Sequence, residues 1–231
     1  MQAGIGLSGV VAVWLANLIL PRLFPIIQPD SYSYLDFRAI RTSFYPLFLR
    51  HVHDGAEDYQ TVLTVQVAFH AVAFGVLLLG LARARLPLSA LILLLVATAL
   101  NPFLQSFHHT VLTESLAFSL TFLASGAFCL FVSERRKVFL ALTTLFASMA
   151  TALKLSALPL LIGLIMASVL VMMLRRPRHR KQTFSWVALL LPVFIVLVCE
   201  NRAFFDVHEH REGVLERHLF GKAVLIQAIT P

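Results

Sequence analysis

The sequence predicts an all-α fold: a polytopic membrane helix bundle of about seven transmembrane helices, with interfacial helices in the first outer loop. Three observations carry that reading. The chain is 58% hydrophobic and only 13% charged, with mean hydropathy +0.81, whereas soluble domains are about a quarter charged. Seven apolar segments can be drawn, near 4–20, 61–82, 87–104, 110–132, 138–153, 155–174 and 184–200. Crossing a bilayer core takes about 20 residues of helix, so the first and fifth are short for the task. Between the first two lies a polar, aromatic stretch, about 21–60, too long for a simple connector.

In chain order, the run Gly4 to Leu20 has no basic region before it and no small-residue cleavage signature after it. It reads as a retained span and not a signal peptide. The loop that follows combines Phe24, Tyr32, Tyr34, Phe37, Phe44, Tyr45 and Phe48 with arginines and acids, which argues against a disordered linker. Ser33-x-x-Asp36 is a capping-box-like start. A helix near 33–41 would align Tyr34, Phe37, Ile40 and Arg41 along one side. Tyr45-Pro46 is expected to interrupt, because the residue before proline is pushed out of the helical region. Leu47 to Val52 can then form a second short amphipathic helix.

Basic residues set the orientation. Arg83 and Arg85 follow the second span, Arg135, Arg136 and Lys137 the fourth, and Arg175, Arg176, Arg178, Arg180 and Lys181 the sixth. Placing these loops in the cytoplasm puts the N-terminus inside and the 21–60 loop, Lys154 and the region after Glu200 outside. The alternation holds only if 138–174 is two helices broken near Lys154 and Pro159. The module therefore covers 1–200. The outer-face tail 201–231 is mixed in charge, and Gly221-Lys222-Ala223 reads as the start of a further element. Cys129 and Cys199 lie near opposite ends of their spans, too far apart to pair. The basic balance reflects topology; no aromatic-interleaved basic patch supports nucleic-acid binding.

Candidate site residues gather at the outer boundary. Asp30 is either a helix N-cap or solvated loop acid, or a general base for an attacking hydroxyl. A capping role explains Asp36 fully. Glu114, in the first turn of the fourth span, either complements the helix dipole or orients a substrate or a loop arginine. Lys154, with no acid near it in sequence, either snorkels to the interface or holds a lipid phosphate. His51-x-His53-Asp54 and His208-x-His210 lack the spacing of a zinc site, so no metal or other cofactor is expected. His70, inside the second span, reads as a packing residue.

Asp30-Ser31-Tyr32-Ser33-Tyr34, the run Arg41, Tyr45, Pro46, Phe48 and Leu49, Thr113-Glu114, and Lys154 to Pro159 together resemble the GT-C glycosyltransferase superfamily. The groups most similar are the bacterial relatives of protein O-mannosyltransferases and of lipid A aminoarabinose transferases. Family enzymes share a seven-span N-terminal module and usually add further spans and a soluble outer domain. The resemblance implies inverting transfer of a sugar from a polyprenyl-phosphate donor to an acceptor hydroxyl on a lipid, glycan or protein. It implies a multi-pass protein of the bacterial inner (plasma) membrane, working at its outer face. Asp30 would activate the acceptor. Lys154, with Arg41 or an arginine of the tail, would neutralise the departing lipid phosphate. The implied substrate-binding set is Tyr34, Arg41, Tyr45, His109, Glu114 and Lys154. A transporter or flippase-like lipid-binding protein is the alternative, although no internal repeat of the transporter kind is visible. An inactive scaffold with the same fold is a third.

Overall fold

The computed structural model describes residues 2–19, 31, 42–52, 59–99, 101, 104, 107–174 and 179–212. Their regular structure is helical, with no strand element among the described residues. The helices are α1 (Gln2–Ile19), α2 (Phe44–Val52), α3 (Gln60–Arg83), α4 (Leu88–Ala99), α5 (Thr113–Glu134), α6 (Lys137–Leu153), α7 (Leu158–Leu174) and α8 (His179–Glu212). Helix forms in each of the seven apolar segments. By length and composition four helical stretches among the described residues can cross a membrane: Gln60–Arg83, Thr113–Glu134, Leu155–Leu174 and Trp186–Phe204. Gly4–Ala16, Leu88–Ala99 and Lys137–Leu153 are apolar but shorter.

At the centre, α3 packs against α1 and α5, α5 against α6, and α6 against α8. In lipid no hydrophobic force drives helix against helix, so close backbone approach and matched shape must do so. Glycine supplies the approach. A Cβ on Gly126 of α5 would sit 2.8 Å from the Val76 carbonyl oxygen and 2.9 Å from Leu77 Cα of α3. Facing it, a Cβ on Gly80 would sit 2.5 Å from the Gly126 carbonyl oxygen. Hydroxyls within the spans bond back along their own helices, as Ser119, Thr121, Ser148 and Thr151 do to carbonyls four residues earlier. That is the local solution where no water is at hand. Pro192 inside α8 cannot donate to the Ala188 carbonyl. The Thr144 hydroxyl of α6 lies 3.4 Å from that oxygen and supplies a donor across the interface.

The chain breaks where the topology requires it. α6 ends at Leu153, Lys154 is extended (φ −148, ψ 114), and a 3-10 turn Leu155–Ala157 leads into α7. Two differences from expectation concern the loop after α1. The described helix starts at Phe44 and runs through Pro46, because a proline in the first turn gives up an N–H that has no intrahelical acceptor. With Tyr45, Pro46 and Leu49 buried, α2 docks into the bundle instead of lying upon it.

Candidate functional site

The bundle has two chemically distinct ends. At one, Arg83 and Arg136 each approach Glu134 at 3.6 Å. These exposed bridges add little stability. They do show that two of the basic loops meet. The opposite end, called here the site end, gathers Glu114, Lys154, Glu200 and the start of α2.

Residues 42–45 are tied to three helices. The Thr42 hydroxyl donates to the Leu153 carbonyl of α6 at 3.4 Å. The Ser43 amide donates to Oε1 of Glu200 on α8 at 2.6 Å. The Gln66 amide nitrogen of α3 donates to the Tyr45 hydroxyl at 3.0 Å. The short helix is therefore seated by polar contacts as well as by Tyr45 and Leu49 in the core.

Beside it, the Lys154 ammonium meets Glu114 Oε1 at 2.5 Å. The lysine expected to stand without an acid is thus paired with one forty positions earlier, since α5 begins where α6 ends. The pair lines a cleft of about 270 Å³ between α5 and α7, bounded also by Ala117, Phe118, Thr121, Ser156, Ala157 and Leu160. The walls are mostly apolar, and the two charges lie where the spans begin. Such a cleft suits an amphipathic ligand with an anionic head and a hydrocarbon tail.

A third feature is interior. Gln66 and His70 lie one turn apart on α3, facing Ser115 and Ser119 one turn apart on α5, and all four are buried. The Ser119 hydroxyl donates to the Ser115 carbonyl at 2.7 Å, so at 3.2 Å it accepts from Nδ1–H of His70. That fixes the tautomer and makes His70 Nε2 an acceptor. His108 Nδ1 pairs with the Ser115 hydroxyl at 2.8 Å, and the two imidazoles lie 4.0 Å apart. Gln66 Oε1 and the Nε2 atoms of His70, His108 and His109 meet no hydrogen-bond partner among the described residues. His70 packs between α3 and α5, as its position suggested, and adds a hydrogen bond across that interface.

Burial pushes the His108 imidazole far below its ordinary value, with the neighbouring His70 and His109 adding to the effect. A histidine kept neutral in the fold but protonated when unfolded favours the fold above pH 6.5 and costs stability as pH falls below it. The slope is about 1.4 kcal/mol per pH unit. Thermal unfolding in detergent should therefore weaken from pH 7 to pH 5, and His108→Gln should flatten that dependence. An equally steep curve in the variant would remove His108 as its source.

Of the predicted site residues, Glu114 and Lys154 come together, and Tyr45 and His109 are buried at the same end. They do not form one cluster: Tyr45 faces Gln66, and Glu114 faces the cleft. Asp30, Tyr34 and Arg41, with the helix expected near 33–41, lie outside the described residues. Sequence reasoning missed Glu200, Gln66 and His108. An acid closing an apolar run was the available signal for Glu200, since ionisable residues within spans are costly. No group of three or more metal-ligating side chains occurs among the described residues. No protein-family model, curated protein or solved structure matches this chain.

Proposed function

We propose that the protein is a membrane glycosyltransferase that takes a sugar from a polyprenyl-phosphate donor and passes it to an acceptor hydroxyl. The observation that carries the reading is the apolar cleft capped by Lys154 and Glu114. A lipid phosphate placed at Lys154 would leave its tail between α5 and α7, and its sugar would face the α2 side of the site end. In this reading seven helices cross the membrane, and the arginine-bearing loops lie in the cytoplasm by the positive-inside rule. Asp30, twelve residues before Thr42, serves as the base that takes the acceptor proton while Lys154 stabilises charge on the leaving phosphate. Transfer would proceed at the extracytoplasmic face of a bacterial inner membrane.

Mass spectrometry of lipids carried through purification provides the test, paired with sugar transfer by the Asp30→Asn variant. The expected result is a bound polyprenyl-phosphate sugar in both proteins and transfer lost in the variant at unchanged abundance. Full transfer by Asp30→Asn would remove the base, and a protein free of any sugar-phosphate lipid would remove the donor. The second reading, a flippase-like lipid-binding protein, draws on the buried Gln66–His70–His108 network inside the bundle. It is distinguished by bound lipid without any transfer.

A further inference from the structure

Glu200 has a role that neither the helix pattern nor the cleft requires. It ends the apolar run of α8, yet the residue is only 3% exposed. Such a carboxylate is costly to bury unless hydrogen bonds hold it. Oε1 accepts the Ser43 amide at 2.6 Å, and Oε2 meets no hydrogen-bond partner among the described residues. Ser43 stands immediately before α2, whose first N–H groups have no acceptor within the helix. α2 lacks an acid in its own first turn. The capping carboxylate therefore comes from a residue 157 positions away.

We infer that Glu200 is a latch: through the main-chain amide of Ser43 it fixes the start of α2 against α8 at the site end. Thr42 adds a weaker tether to the Leu153 carbonyl, one residue from Lys154. The latch thus holds the start of α2 near the residue proposed to hold phosphate. Its effect on turnover rests on the transferase reading; the latch itself does not. Glu200 is a positioning residue, acting through α2.

The experiment uses the full chain in nanodiscs with Cys129 and Cys199 replaced by alanine. Spin labels go at the exposed positions 50 and 202, as Arg50→Cys and Arg202→Cys, and at 86 and 138 as a control pair. Glu200→Gln retains an oxygen that can accept the Ser43 amide, and should keep the narrow 50–202 distance distribution of the parent. Glu200→Leu retains none and should broaden and lengthen it, with the 86–138 distribution unchanged. A 50–202 distribution in Glu200→Leu identical to the parent's overturns the latch. If the leucine variant also loosens the control pair, Glu200→Asp takes its place, with its oxygen withdrawn by one methylene, under the same two outcomes. In the transfer assay, Glu200→Leu should lower kcat severalfold with the donor KM unchanged, and Glu200→Gln should restore it. Parent protein without donor lipid defeats the transferase reading and leaves the distance measurement to decide the latch.

Discussion

Replacing Gly126 with leucine is expected to dismantle the bundle. The added Cβ alone would lie 2.8 Å from the Val76 carbonyl oxygen and 2.9 Å from both Leu77 N and Leu77 Cα. These are main-chain atoms of a neighbouring helix and cannot rotate aside as a side chain can. α5 would have to withdraw from α3, opening the Gly80 contact and separating the faces that carry Ser115, Ser119, Gln66 and His70. Even Gly126→Ala should cost about 1–3 kcal/mol, the usual range for overpacking a filled interface, and leucine more. Gly163 provides the comparison, because a Cβ there meets nothing within 4 Å. Gly163→Ala should be neutral, or stabilising by up to about 1 kcal/mol through helix propensity. Thermal unfolding in detergent, read beside the monodispersity of each variant, checks both. Equal behaviour of the two alanine variants would mean that the α3–α5 approach does not depend on Gly126.

Lys154→Met should cut donor-lipid retention at least tenfold, equivalent to about 1.4 kcal/mol or more. The lysine is the cation among the residues lining the cleft, and a phosphate entering an apolar groove needs one. Glu114→Gln should act in the opposite direction. In the resting structure Glu114 competes for the ammonium, and neutralising it frees Lys154 for an anion, so retention of donor lipid should rise. Binding of a fluorescent polyprenyl phosphate to both variants decides the matter. If the ion pair serves only to join α5 to the start of α7, both variants lose stability and neither changes lipid affinity in its own direction. Opposite shifts in affinity at similar melting temperature are the signature of a phosphate site.

The break at Lys154 was legible because a charged lysine between apolar runs and a nearby proline are local signals, and a local signal is enough to end a helix. The two basic groups at Arg83 and Arg136 were legible as one end of the bundle for a similar reason: charge placed between apolar runs marks a boundary. Pro46 misled in the other direction. A proline reads as a break unless the position of the first turn is known, and the residues docking Tyr45 and Leu49 set that position. Glu200 looked like the end of an apolar run, and the partner of His70 was not legible, because nothing beside them in sequence reveals Ser43 or Ser119.

The sequence by itself determined the membrane class, the helical segments and the clustering of costly residues near helix ends. Those follow from hydropathy and charge over short windows, which fix how each segment partitions and where it stops. Only the tertiary structure decided that Lys154 pairs with Glu114, that Glu200 caps α2, and that two histidines share one buried face. Each depends on which helices touch and in what register. That is set by close contacts such as Gly80 against Gly126, between residues far apart in the chain.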